Sequence, residues 1–220
     1  MNKLIISIRR HAKTNKSAKE TESSQRVVSS EGKVLTYELG DKLKTESIVG
    51  AYTSPPLRSQ QTLVYLMDAA GQLDLEKMFV EESLDEPFIS PGYRQIINAD
   101  GRKRDERIAF FLENQDPTGQ STTPYQAACG VSFFIAGIDN VYSKDNGRIE
   151  AITNAPKLES FLQIMDERSF NNYLEGKSFS YLEGIELTLH KRLYVVHFRD
   201  KEMQIPQSKV IELANAYTSK

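Results

Sequence analysis

Arg9-Arg10-His11 follows directly on the apolar run Leu4-Ile5-Ile6-Ser7-Ile8. Two guanidiniums and an imidazole therefore stand at the end of what the β-branched residues predict to be a buried strand. A positive charge beside an imidazole lowers its proton affinity, so His11 is expected to be neutral and nucleophilic near neutral pH. Arg10 presents a planar fork of donors matched to two phosphate oxygens. Together they read as a phosphate-binding nucleophile. The plainer alternative is that Arg9, Arg10 and His11 are only the solvated start of a loop.

Two further places repeat the arrangement of a strand that ends at a polar group and a helix start. Ile48 to Thr53 reads as a strand, and Ser54-Pro55-Pro56-Leu57-Arg58-Ser59-Gln60-Gln61-Thr62 opens a helix, with Pro where its missing donor costs little. Arg58 then falls in the first turn. Arg148 to Thr153 reads as another strand, Asn154-Ala155-Pro156-Lys157 as a turn, and Leu158 to Met165 as a helix. An open α/β sheet gathers its ligand groups at such junctions, outside the carboxyl ends of its strands. A cluster of carboxylates, Glu81, Glu82, Asp85 and Glu86, leaves a short third strand predicted over Met78 to Glu81.

The elements that must hold these residues alternate strand, helix, strand, helix, which predicts an α/β fold. Its mostly parallel sheet carries helices on both faces. Ser30 is expected to cap a helix over about Glu31 to Lys44, packed on the sheet through Val34, Leu35, Leu39 and Leu43. Thr14 to Ser29 is polar and reads as a long loop bordering the site. Ile89 to Arg104 contains Pro91, Gly92 and Gly101 and reads as irregular, part of an inserted lid at about 83–125 within a single domain, 1–220. Arg107 to Glu113 and Thr122 to about Tyr142 read as helices, the second apolar enough to be buried. Ser178 to His190 and Lys191 to Arg199 predict an antiparallel edge, and Pro206 to Tyr217 a closing helix.

Composition narrows the functions. The 220 residues carry 28 Lys and Arg against 30 Asp and Glu, a net charge of −2. No global basic field advertises nucleic acid or an anionic membrane, so any anion site must be local. The single cysteine, Cys129, allows no disulfide within the chain, and three histidines offer no metal-binding spacing. Neither a metal nor a cofactor is expected. No apolar run is long enough to span a bilayer, and the chain is expected to be soluble and cytoplasmic. Its oligomeric state is left open.

Across nearly its whole length the chain resembles the histidine phosphatase superfamily, the phosphoglycerate mutase-like fold. Arg10-His11-Ala12 is similar to that family's Arg-His-Gly after the first strand. Ser54-Pro55-Pro56-Leu57-Arg58-Ser59-Gln60-Gln61-Thr62 is similar to its Ser-Pro-Leu-x-Arg-x-x-Gln-Thr, with Pro56 as the departure. The resemblance implies that His11 is transiently phosphorylated, that Arg10 and Arg58 hold phosphoryl oxygens, and that Glu86 in Leu84-Asp85-Glu86 is the general acid. Asp85, Glu82 and Glu81 are the alternatives for that role, and Thr14 and Ser17 are possible further donors to phosphate. Where the family has a second histidine, this chain has Asn154. An amide donates a hydrogen bond but carries no charge, and loss of a donor at such a site commonly costs about a hundred-fold or more in rate.

The implied function is a metal-independent phosphomonoester hydrolase working through phosphohistidine, its turnover weakened at Asn154. The alternative is a catalytically degenerate binder of a phosphate ligand with the same fold. Its partner is expected to be a phosphorylated small molecule or a phosphoprotein. His190 and His197 are expected to be ordinary strand positions, and Cys129 a buried apolar residue rather than a nucleophile.

Overall fold

The computed structural model describes residues 4–15, 25–98, 101–114, 116–142, 144–166 and 174–218; Ser17 lies outside them. A seven-stranded mixed sheet runs in the order β3-β2-β4-β1-β5-β6-β7. Its strands are β1 (Leu4–Arg10), β2 (Ile48–Thr53), β3 (Met78–Val80), β4 (Gly147–Thr153), β5 (Gly184–His190), β6 (Leu193–Phe198) and β7 (Lys201–Pro206). β3, β2, β4 and β1 are parallel, whereas β5, β6 and β7 join by antiparallel pairing. The antiparallel edge is one strand wider than the sequence predicts. The unpredicted strand, Lys-Glu-Met-Gln-Ile-Pro, is short and lies at the sheet's edge, with only Met203 and Ile205 buried.

Among the described residues seven α-helices accompany the sheet: α1 (Ser30–Lys42), α2 (Leu57–Ala69), α3 (Pro91–Ile97), α4 (Arg104–Glu113), α5 (Pro124–Tyr142), α6 (Ala155–Met165) and α7 (Gln207–Thr218). One face packs Ile6, Ile8, Ile149, Ala151, Ile185 and Leu187 under α5, α6 and α7. The other packs Ile48, Ala51 and Ile152 under α2.

α1 keeps only half of its expected packing face: Leu43 is buried and Leu39 packs against the same core, but the first two turns depart from it. Val34 is 58% and Leu35 40% exposed, while Gly32, Thr36 and Gly40 form the buried stripe. The reason is proximity. A side chain at Gly40 would lie 2.5 Å from the Ala69 Cβ of α2, and one at Gly32 would lie 2.2 Å from the Lys13 carbonyl. The smallest residues let α1 pack closely on α2 and on the loop after β1, and this outweighs burial of Val34 and Leu35. The cap is Ser29, whose side chain accepts from the Gly32 N–H, rather than Ser30.

The region read as irregular holds α3. The Ser90 hydroxyl caps it by accepting from the Tyr93 N–H, and Pro91 sits in the first turn, where proline starts a helix rather than breaking one. α4 begins at Arg104, earlier than its predicted start. Tyr93 and Ile97 of α3 pack on Phe111 of α4 in a small core of their own.

Candidate active site

The sheet register brings the three junctions together. β4 lies between β2 and β1, with Thr53 opposite Ile152 and Arg10 opposite Thr153. The strands therefore end at one level, tied by His11 N–H donating to the Thr153 carbonyl at 2.9 Å and Ser54 N–H to the Ile152 carbonyl at 2.9 Å. His11, Arg58 and Asn154 follow at the carboxyl ends, where an α/β sheet places its ligands.

His11 is buried, and its two ring nitrogens have different duties. Nδ1 is 2.7 Å from the Ala12 carbonyl, which can only accept, so Nδ1 carries the proton. Nε2 then holds the lone pair, and the Arg58 Nε–H donates to it at 3.1 Å. Burial first, then Arg58, with smaller contributions from Arg10 and Arg104, pushes the imidazole pKa down to about 3, against the opposing effect of the Ala12 carbonyl. The ring is neutral across the physiological range. Thr62, the threonine of the second motif, fixes this loop by accepting from the Ala12 N–H at 3.0 Å.

Arg58 Nη2 donates to Asn154 Oδ1 at 2.8 Å and to Glu86 Oε2 at 2.8 Å. A guanidinium has no acceptor, so the Asn154 amide must turn its oxygen toward Arg58. Its Nδ2, buried and with no protein partner among the described residues, is left to donate. Asn154 is the N-cap of α6 yet makes no side-chain cap. An N-cap oxygen usually accepts from the second or third helical N–H, and Pro156 has removed the second. The helix start thus releases Asn154 to the site. α6 begins at Ala155, earlier than the predicted turn allows.

Glu86 reaches the site through a pinned segment. After β3, the Glu81 N–H donates to the Thr53 carbonyl, the Thr153 hydroxyl to the Leu84 carbonyl at 2.6 Å, and Lys157 Nζ to the Asp85 carbonyl at 2.8 Å. Burial pushes the Lys157 ammonium down to about 8. Of the alternative acids, Glu81 caps the following turn at Ser83 N–H and Asp85 accepts from the Glu86 N–H. Among the described acidic residues Glu86 is the one that lines the cavity.

That cavity, about 470 Å³, is lined by all six residues singled out from the sequence: Arg10, His11, Thr14, Arg58, Glu86 and Asn154. It lies within the size range of small-molecule sites. His190 and His197 lie on β5 and β6, away from it, and Cys129 is buried in α5.

Several lining residues were not anticipated. Tyr181 lies beneath Arg10, whose guanidinium carbon is 4.1 Å from the ring centroid, and beside the His11 ring at 5.8 Å. Arg104 and Arg10 both donate to the Phe179 carbonyl, Arg10 at 2.9 Å. The Phe179 N–H in turn donates at 2.8 Å to Glu159, fully buried on α6. Burial pushes the Glu159 carboxyl up to about 8, so it is mostly protonated at neutral pH. No local signal marked these residues: the 178–183 segment and α4 meet β1 only in the folded chain.

The chain matches no protein-family model and no curated protein sequence. Solved structures do resemble it. A phosphoglycerate mutase from Bacillus anthracis superposes with a TM-score of 0.65 at 16% identity, covering 96% of this chain and 97% of that one. A mycobacterial glucosyl-3-phosphoglycerate phosphatase gives 0.61 at 13%, covering 86% and 91%. The protein histidine phosphatase SixA, solved with tungstate, gives 0.50 at 15%, covering 94% and 99%. These neighbours are histidine phosphatase superfamily members. The fold of this chain is the phosphoglycerate mutase-like fold. Among the described residues no helix is long and apolar enough to cross a membrane.

Proposed function

We propose that this chain is a phosphomonoester hydrolase that works through a phosphohistidine on His11. The observation that carries the reading is the state of that residue. Nδ1 is spent on a carbonyl, and Nε2 keeps a lone pair that accepts from the Arg58 Nε–H at the wall of a cavity in which Arg10, Arg58 and the Asn154 amide offer donors, so an incoming phosphoryl group that takes over the Arg58 guanidinium releases that lone pair for attack. In the first step Nε2 attacks phosphorus, the bond to the ester oxygen breaks, and the Glu86 carboxyl gives that oxygen its proton. In the second, water attacks the phosphohistidine, its proton passes to the Glu86 carboxylate, and the P–N bond breaks to return the lone pair to Nε2. Arg10 and Arg58 stabilise the charge spread over the phosphoryl oxygens, a role in which guanidiniums serve without a metal. Thr14 adds a hydroxyl at the cavity wall.

The substrate is a phosphorylated small molecule, in keeping with the cavity volume, rather than nucleic acid. A phosphoprotein would have to present its phosphorylated side chain to the same cavity. The proposal places the protein in the cytoplasm, in keeping with one cysteine that is buried. Asn154 favours a second reading, a binder of phosphorylated ligand that turns it over poorly, because the amide supplies a donor without charge.

The test is hydrolysis of 4-nitrophenyl phosphate together with acid trapping of radiolabelled enzyme. The parent should yield an acid-labile phosphoenzyme, and His11→Ala should lose at least about a thousand-fold in rate and all label. Undiminished activity in His11→Ala would overturn the mechanism. A parent that binds vanadate without turnover would establish the second reading.

A further inference from the structure

Lys157 stands where both the core and the helix oppose it. It is the third residue of α6 and only 6% exposed. A buried ammonium loses its hydration, and the first turn of a helix carries partial positive charge, so two separate effects disfavour a cation there. Burial pushes it down to about 8, with Asp85 and Glu81 opposing, and it is mostly charged at neutral pH. A position that only had to be filled would take an apolar side chain at lower cost. Lys157 is not among the residues that line the cavity, so the cost is not met by a ligand.

The surroundings are built to admit it. A Cβ at Gly130 of α5 would lie 2.5 Å from the Ser83 carbonyl and 3.1 Å from Lys157 Cε and Nζ. The glycine lets the lysine tip and the turn Glu82–Leu84 meet against α5. Nζ then donates at 2.8 Å to the Asp85 carbonyl, the peptide group that joins Asp85 to Glu86. The preceding carbonyl, that of Leu84, is held by the Thr153 hydroxyl. Thr153 and Lys157 flank Asn154, so the β4–α6 junction that delivers Asn154 also carries the acid segment. Both side chains converge on one atom, Arg58 Nη2, which donates to Asn154 and to Glu86.

The Glu86 side chain is 40% exposed, so packing does not fix it. Arg58 holds the carboxyl only until a phosphoryl group takes over the guanidinium, after which the backbone tether still holds. We infer that Lys157 is a positioning residue for the general acid: by fastening the Asp85–Glu86 peptide to α6 it keeps the Glu86 carboxyl at the ester oxygen while Arg58 serves the phosphoryl group. The inference rests on the role of Glu86 in the reading above and deepens it.

Two esters test it on full-length variants: 4-nitrophenyl phosphate, whose leaving group departs with little help, and phenyl phosphate, whose leaving group needs a proton. kcat/KM reports the step in which the ester oxygen leaves. Lys157→Met, close in length and without a donor, should lose about thirty-fold for phenyl phosphate and no more than about three-fold for 4-nitrophenyl phosphate, part of what a general acid supplies. In a Glu86→Gln background the same substitution should cost no more than about two-fold for either ester, because the group it positions is gone. Inhibition by vanadate should stay within about two-fold, whereas a merely loosened fold would lose vanadate binding and both esters alike. Urea melts establish that Lys157→Met folds; if it does not, Lys157→Gln, uncharged and one atom shorter, carries the same expectations. Unchanged rates, equal losses on the two esters, or a loss that persists in the Glu86→Gln background overturn the inference and leave the phosphatase reading standing. If Glu86→Gln alone slows both esters equally, Glu86 is not the acid and the inference falls with that role. A parent that hydrolyses neither ester takes the phosphatase reading down as well.

Discussion

Arg9 and Arg10 are neighbours in sequence and opposites in the fold. Successive side chains of a strand point to opposite faces, so one arginine lies under the α1 side of the sheet and the other enters the cavity. Arg9 donates to Glu150 at 3.2 Å and to Glu186 at 2.8 Å. Arg148 donates to the same two carboxylates, to Glu150 at 2.6 Å. Two guanidiniums and two carboxylates close on one another, and that network has no charge to offer. Arg10 has a carbonyl, an aromatic face and a buried Nε without a partner among the described residues. Glu159, the acid whose charge would be felt at Arg10, is kept largely protonated by burial. Burial and Arg104 accordingly push the Arg10 guanidinium down to about 10, still charged at neutral pH. The difference teaches that it is the balance of partners, rather than the residue type, that separates a structural arginine from one poised to take an anion.

The sharpest way to break this comparison is to neutralise each arginine in turn. Arg10→Gln should lower kcat/KM for a phosphate ester by about a hundred-fold, or weaken phosphate binding comparably, with little change in stability. Arg9→Gln should do the reverse. It leaves Arg148 alone with two carboxylates, one fully buried and one more than a third exposed, and should destabilise by about 2 kcal/mol after allowance for screening. Its catalytic rate should stay within about three-fold of the parent. Urea melts and steady-state kinetics on both variants decide it. Equal losses of activity would show that the two faces are not independent.

Much of this contrast was legible in the sequence. The positions of His11, Arg58 and Asn154 follow from local signals, an apolar run that stops and a helix that starts, and those signals survive folding. The start of the face on which α1 packs was not legible, because Gly32 and Gly40 work by how closely they let the loop after β1 and a neighbouring helix approach. α3 was hidden behind Pro91 and Gly92, which read as breakers until Ser90 is recognised as a cap. Arg104, Tyr181 and Glu159 reach the site by tertiary contact alone, and nothing in their local sequence announces it. Glu86 stood among several acids, and only the pinning by Thr153 and Lys157 distinguishes it.

A smaller effect sharpens the charge argument at Asn154. Arg58 fixes the amide oxygen and leaves Nδ2 as a neutral donor. Asn154→His should place a donor able to carry charge at the same helix start. Because charge on the transferring phosphoryl group is greatest demand at the transition state, turnover of an aryl phosphate should rise at least about ten-fold, or about 1.4 kcal/mol of barrier, with a smaller change in KM. A parent as fast as the variant would mean that Asn154 does not occupy a position where charge matters.

The smallest expected effect tests why Arg10 is left uncompensated. Glu159 ionises at about 8 in the folded chain against an ordinary 4.5. Below the lower value both folded and unfolded chains hold the proton, and the contribution to stability is complete. As pH rises between the two values, the unfolded chain releases the proton while the folded chain keeps it, so stability falls; above the upper value the slope ends. His11 acts in the opposite sense, since its pKa drops from 6.5 to about 3 and stability therefore rises with pH over that interval. From pH 6.5 to 8 the Glu159 slope is unopposed by His11. Glu159→Gln keeps an acceptor for the Phe179 N–H and removes the proton. In thermal melts across that window the parent should lose stability relative to the variant, by a few degrees in Tm, and the two curves should run parallel above the folded pKa. Parallel curves throughout the window would mean that Glu159 is ionised beside Arg10. The strand-end site would then be as internally neutralised as the network around Arg9, and the charge contrast between the two faces of β1 would be lost.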